Sequence, residues 1–205
     1  MKVILVNGSP RKMGCTNRAL EEVQGALNQA GVDTEIFWIG TKVQGCLGCG
    51  SCKRTGQCVF DDQVRTFLEK AREADGFVFG SPVYYSSASG SITSFMDRAF
   101  FSGGRLLQYK PAAAVMSCRR GGATETFAQL NMYFTINNMP VVSSQYWNQV
   151  HGSTPEQVEQ DAEGLQTMRT LGRNMAWLLR CIAAGRQNGV DLPEREPPIA
   201  TNFIR

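Results

Sequence analysis

From Gly45 to Cys58 the chain reads GCLGCGSCKRTGQC, which sets Cys46, Cys49, Cys52 and Cys58 at C-x2-C-x2-C-x5-C spacing. Two-residue gaps let successive thiolates converge on one centre, and the longer last gap lets a loop close around it. Four thiolates suit a [4Fe–4S] cluster, although bacterial ferredoxins space their fourth cysteine differently. Four-cysteine tetrahedral zinc is chemically open as well, and so are thiols that hold no metal. Gly45, Gly48, Gly50 and Gly56 supply the backbone freedom such wrapping needs, while Lys53 and Arg54 offset thiolate charge. A thioredoxin-like redox pair fits less well, because these cysteines follow a second predicted strand rather than opening a helix after the first. Cys118 and Cys181 read as buried small hydrophobes.

Three further segments carry polar chemistry. GSPRKMGCTN (8–17) offers Ser9, Thr16 and Asn17 as neutral donors and Arg11 as a charged one. Gly8 and Gly14 let the backbone wrap, and Cys15 stands beside them. The segment lacks the GxxxxGK[ST] of a triphosphate loop and the GxGxxG of a dinucleotide fold. With a helix N-terminus behind it, it suits a terminal phosphate, the plainer reading being a polar turn. SPVYYSSASG (81–90) has Pro82, Val83, Tyr84, Tyr85 and Ser86, a stretch of flat and small side chains with room for a planar group. SCRRGG (117–122) brings Ser117, Arg119 and Arg120 together with Gly121. His151 is the sole histidine, which removes a His-based hydrolytic triad and any several-histidine metal site. The aspartates Asp61, Asp62, Asp75 and Asp97 are scattered and make no acid–base pair.

The elements that must position these segments alternate. Apolar runs at 2–8, 34–40, 76–82, 112–118 and 139–147 predict five strands, the first, third and fourth nearly continuous, as in a parallel sheet covered on both faces. Helical periodicity predicts helices over 16–30, 62–74, 90–101 and 123–137. Thr154, Pro155 and Gln157 then signal the start of one long helix to about Ala184. The alternation predicts an α/β fold: an open, doubly wound five-stranded parallel sheet with helices on both faces. Residues 1–184 form one expected domain that includes the cysteine-rich loop 45–58. Residues 185–205, with three prolines, read as an extended C-terminal arm over the body or a partner subunit, or else as a frayed tail. In such a sheet, ligands sit beyond the carboxyl ends of the strands where strand order reverses. That is where the loops after strands one, three and four lie.

A net charge of +3, from 21 basic and 18 acidic residues without a dense basic run, excludes a nucleic-acid footprint. No run approaches the length of a membrane helix. The opening MKVILVNGSPRK has an apolar run of strand length only, so a cytoplasmic location and reduced thiols are expected.

On these residues the chain resembles the flavodoxin-like family of NAD(P)H-dependent FMN reductases, in particular its iron–sulfur flavoprotein branch. GSPRKMGCTN is similar to the family's FMN-phosphate loop, GSPVYYSSASG to its isoalloxazine loop, and SCRRGG to the third loop near the ring. The resemblance implies phosphate contacts from Ser9, Arg11, Thr16 and Asn17, with backbone from Gly14 and Cys15. The family often has Asn at the position of Cys15. The resemblance further implies that Pro82, Val83, Tyr84, Tyr85 and Ser86 lie beside the ring, and Ser117, Arg119, Arg120 and Gly121 near its pyrimidine side. It implies FMN as cofactor, NAD(P)H as co-substrate, a homodimer or homotetramer, and a [4Fe–4S] cluster on the four cysteines. The acceptor would be a quinone, a flavin, an azo or nitro compound, or a protein. The alternative is a flavodoxin-like electron carrier fed by a ferredoxin-like partner, without nicotinamide activity.

Overall fold

The computed structural model describes residues 1–201. The runs read as strands form β1 (Lys2–Asn7), β2 (Asp33–Trp38), β3 (Gly76–Tyr84) and β5 (Ala112–Cys118), with the short β4 (Ser87–Ala88) and β6 (Gln149–His151) added. Five strands run parallel in the order β2-β1-β3-β5-β6, and β4 pairs antiparallel with the end of β3. The chain leaves β1 toward β2 on one side and returns to β3 on the other, so the reversal of strand order falls between β1 and β3. This is the flavodoxin-like arrangement.

Helices α1 (Cys15–Gln29), α3 (Gln63–Ala71), α4 (Gly90–Leu107), α5 (Ala123–Ile136) and α7 (Ala162–Gln187) cover the sheet, with the short α2 (Ser51–Thr55) and α6 (Pro155–Val158) between them. β1 and β5 are buried along nearly their whole length, because each has apolar neighbours on both faces. One core gathers Phe37, Phe67, Phe77, Phe79, Phe95 and Phe134; the other packs α1 and α7 onto Leu5, Val78 and Val115. A fully buried side chain of this size contributes roughly 1.5–3 kcal/mol, so the sheet is held from both sides.

Four expectations need correction. Residues 139–147 form no continuous strand. The chain meets β5 at its start, where Val142 donates to Ala112, and at its end, where Met116 donates to Asn148. Between these it loops out, with the Ser144 hydroxyl 2.6 Å from the Tyr146 carbonyl and 2.7 Å from Asn148 Oδ1. A serine that bonds its own loop competes with the ladder of an edge strand. The final helix is also two: Asp161 accepts from Gly164 N–H at 2.9 Å and restarts the chain as α7. Cys181 is exposed on α7, whereas Cys118 is buried as expected. Helix α7 runs on to Gln187 rather than ending near Ala184; the exposed residues after it to 201 carry no helix or strand, and 202–205 lie outside the described residues.

Candidate functional site

At the carboxyl edge of the sheet, one open cleft of about 250 Å³ is walled by three of the loops singled out in the sequence. Ser9, Arg11, Gly14, Cys15 and Thr16 come from the first, Pro82, Val83 and Tyr84 from the second, and Ser117, Cys118 and Arg119 from the third. Gly152 and Ser153, after β6, complete it.

The first loop is shaped by a residue the sequence reading passed over. Asn7, fully buried at the end of β1, accepts from Ser9 N–H at 3.0 Å and donates to the Lys12 carbonyl at 2.9 Å. An asparagine at a strand end followed by Gly-Ser-Pro is a signal for such a side-chain turn. Trp38 donates its indole N–H to the Ser9 carbonyl at 2.8 Å. Gly8 is required by packing: a Cβ there would lie 2.6 Å from Ile92 Cβ and 2.8 Å from the Gly80 carbonyl. Helix α1 then starts at Gly14 with no capping side chain, so its first amides and the positive end of its dipole face the cleft. Arg11 and Arg119 add positive charge, and no carboxylate is among the described residues that line the cleft. The site is built for an anion.

Thr16 and Ser117 tie the first loop to the third by a buried hydroxyl pair at 2.8 Å. Ser89 ties the first to the second: its N–H donates to Ser81 Oγ at 3.0 Å and its hydroxyl to the Gly8 carbonyl at 2.9 Å. Burial pushes the Cys15 and Cys118 thiols above the ordinary cysteine value. Such thiols are poor nucleophiles, so these two are wall rather than reagent.

Five expected contacts do not line this cleft. Asn17 turns inward, accepting from Asn7 at 3.2 Å and donating to Glu21 at 2.6 Å, and so braces the loop from behind. Tyr85 and Ser86 form the tip of the β3–β4 hairpin with φ of 51° and 57°. Positive φ at both residues is what a two-residue hairpin demands, and it is unfavourable for a tyrosine. The ring of Tyr85 is fully exposed. Arg120 and Gly121 lie beyond the end of β5, outside the lining residues.

The cysteine loop forms a second, smaller recess. Cys46, Cys49, Cys52 and Cys58 all line it, together with Leu47, Phe60, Phe101 and Arg98. Gly50 and Gly56, at φ of 67° and 75°, bracket α2 and turn the chain on either side of Cys52. Cys46 and Cys49 are exposed, and Cys52 and Cys58 are half-buried. Among the described residues no three histidine, cysteine or acidic side chains converge closely enough to hold a metal ion. The thiols share a recess without meeting at a point. As a donor set, four cysteines round one recess with a guanidinium against one sulfur fit a thiolate-bound cluster.

That guanidinium belongs to Arg98, 1% exposed. It pairs bidentately with Asp62 at 2.7 and 2.8 Å, donates to the Gln44 carbonyl at 3.2 Å, and places Nε and Nη2 each 3.4 Å from Cys58 Sγ. The Phe60 ring covers it at 4.8 Å. Burial alone would raise the Asp62 carboxyl, but the bonds from Arg98 and from Val64 N–H outweigh it and hold that carboxyl below its usual value. Nothing local marks Arg98 in the sequence, since its partners are distant along the chain.

Known proteins resemble this chain in sequence and in fold. A family model described as NADPH-dependent FMN reductase matches residues 1–153. An iron–sulfur flavoprotein of Methanocaldococcus jannaschii is 36% identical over 191 residues, covering 89% of this chain and 99% of the relative. One from Methanosarcina thermophila is 27% identical, covering 91% and 99%. Among solved structures, RosB with a bound 8-demethyl-8-formylriboflavin-5'-phosphate intermediate superposes with a TM-score of 0.69 at 16% identity, over 100% of this chain and 94% of that one. An NAD(P)H:quinone oxidoreductase from Methanothermobacter marburgensis gives 0.63 at 15%, over 85% and 94%. At such identities the superpositions establish the fold alone. The chain belongs to the NADPH-dependent FMN reductase family, in its iron–sulfur flavoprotein branch, and is a flavin oxidoreductase by that membership.

Proposed function

We propose that the cleft holds FMN, that NAD(P)H reduces it there, and that electrons leave through a [4Fe–4S] cluster on Cys46, Cys49, Cys52 and Cys58. The observation that carries the flavin reading is the convergence of the first, second and third loops on one cleft with an uncapped helix start and two guanidiniums. In this reading Ser9, Arg11, Thr16 and the amides of Gly14 and Cys15 hold the phosphate, with Asn17 bracing them. Pro82, Val83 and Tyr84 flank the ring, and Tyr85 and Ser86 rim it. Ser117, Arg119, Arg120 and Gly121 serve its pyrimidine side, where donors stabilise negative charge on the reduced ring. FMN supplies the hydride acceptor when bound; the protein supplies position, charge and exclusion of water. No side chain is required as acid or base.

The cluster, when bound, lets the enzyme serve one-electron partners. The shared recess and the donor set support it, as do relatives named as iron–sulfur flavoproteins. Acceptors of the expected classes are quinones, flavins, azo or nitro compounds, or a protein. Among the described residues no helix is long and apolar enough to cross a membrane. The exposed Tyr84, Tyr85, Tyr146 and Trp147 suit burial in a homodimer or homotetramer.

The test is the absorption spectrum of anaerobically purified protein, with iron and sulfide analysis and then NADPH addition. Flavin bands that bleach with NADPH, with about four irons and four sulfides per chain, are expected. Flavin bands without iron or sulfide leave a plain FMN reductase. Bands that NADPH does not bleach point to an electron carrier. Colourless protein that takes up no FMN overturns the proposal.

A further inference from the structure

Arg98 is spent in full within the cysteine recess. A guanidinium has five N–H donors in a fixed planar fork. Here Nη1 serves Asp62 Oδ2 and the Gln44 carbonyl, Nη2 serves Asp62 Oδ1 and Cys58 Sγ, and Nε serves Cys58 Sγ again. Two of the five donors are thus aimed at one sulfur. An arginine this deeply buried is retained only where its charge and donors are matched. The fork cannot rotate away, because Asp62 grips one edge and Phe60 covers a face. Asp62 is itself held as the N-cap of α3 through Val64 N–H at 3.1 Å. The other three cysteines have no comparable grip in the described residues.

We infer that Arg98 is the positioning residue of the four-cysteine site, holding Cys58 as its fixed ligand and, through two N–H···S bonds, setting the potential of the cluster bound there. This rests on the cluster reading proposed above. Hydrogen bonds to cluster sulfurs are among the terms that set the reduction potential, because they stabilise the more negative, reduced charge. Loss of these bonds lowers the potential. Arg98 also fixes the recess relative to the flavin cleft. It lies on α4, whose N-cap Ser89 bonds the Gly8 carbonyl of the cleft, about 14 Å away along the helix axis. A single helix thereby braces a loop of one site from behind and lines the other.

The experiment compares anaerobically prepared wild-type protein with Arg98→Lys and Arg98→Gln, measuring FMN per chain, iron and sulfide per chain, and the midpoint potential of the cluster by a redox titration followed by electron paramagnetic resonance. Lysine keeps the charge but cannot present two donors to sulfur and two to a carboxylate from one plane. The expected result is full FMN occupancy in both variants, reduced iron and sulfide, and a lower midpoint potential in the cluster that remains. A purely structural arginine would cost stability and leave that potential where it was. Variants with wild-type iron, sulfide and potential overturn the role of Arg98 alone. Wild-type protein without iron or sulfide overturns the cluster reading and this inference with it. If both variants lose FMN and fold, the wild type decides: its Fe–S stretching bands in resonance Raman should shift on long incubation in deuterium oxide, and unshifted bands overturn the inference.

Discussion

The cleft at the sheet's carboxyl edge and the cysteine recess solve the same problem, holding polar groups at a surface, by different means. The cleft is assembled from loops that leave the ends of three parallel strands, and its parts lock each other through buried pairs: Asn7 with Ser9 and Lys12, Thr16 with Ser117, Ser89 with Gly8. The recess is one long excursion between β2 and α3, with half its cysteines exposed and one buried side chain, Arg98, anchoring it. Many small restraints make the cleft tolerant of losing any one. A single large restraint makes the recess depend on it.

The sharpest way to break this contrast is Arg98→Met. Removing one partner of a buried ion pair leaves the other uncompensated, at a cost of roughly 3–5 kcal/mol for fully buried pairs. With Asp62 still partly in water, the low end, about 3 kcal/mol, is expected in urea unfolding monitored by circular dichroism. A loss below about 1 kcal/mol would mean that the recess has other anchors.

Thr16→Val probes the cleft in the same way and should matter less. It leaves the Ser117 hydroxyl buried without its partner, for about 1–3 kcal/mol. It should also weaken FMN affinity, read by quenching of flavin fluorescence, while iron and sulfide per chain stay at the wild-type value. A parallel loss of iron would show the two regions to be one cooperative unit.

The smallest effect concerns acid. The folded-state carboxyl of Asp62 is held below its ordinary value. Its contribution is therefore complete above the unfolded value of about 3.9 and is lost as pH falls through the lower folded value. Below about pH 4, urea unfolding should show wild type converging on Asp62→Asn, and the gap between them should reopen on return to neutral pH. A gap that stays constant across that range would remove Asp62 from the acid response.

Much of the architecture is written in short-range pattern. Continuous apolar runs at β1, β3 and β5 announce strands buried on both faces, and Thr154-Pro155 marks the start of α6 as a local cap. Local chemistry is harder to read where competing bonds lie nearby. The run 139–147 has the composition of a strand, yet Pro140 cannot donate to a ladder and Ser144 bonds within its own loop. Asp161 splits a helix whose apolar spacing continues through it.

For the site, sequence by itself determined which loops would meet, because a parallel sheet with right-handed crossovers sends every strand's carboxyl end to one edge. It also determined that four cysteines would share one loop. Which of the loop residues face the cleft was decided only by packing. Asn17 turns inward because a buried Asn7 waits there, and Tyr85 stands out because a two-residue hairpin forces it. Above all, tertiary structure decided that Arg98, one of two arginines on α4, would be the anchor of Cys58. Periodicity and caps report interactions within a few residues. The partner of a buried charge is chosen by the whole fold, from whichever segments it brings within hydrogen-bonding distance.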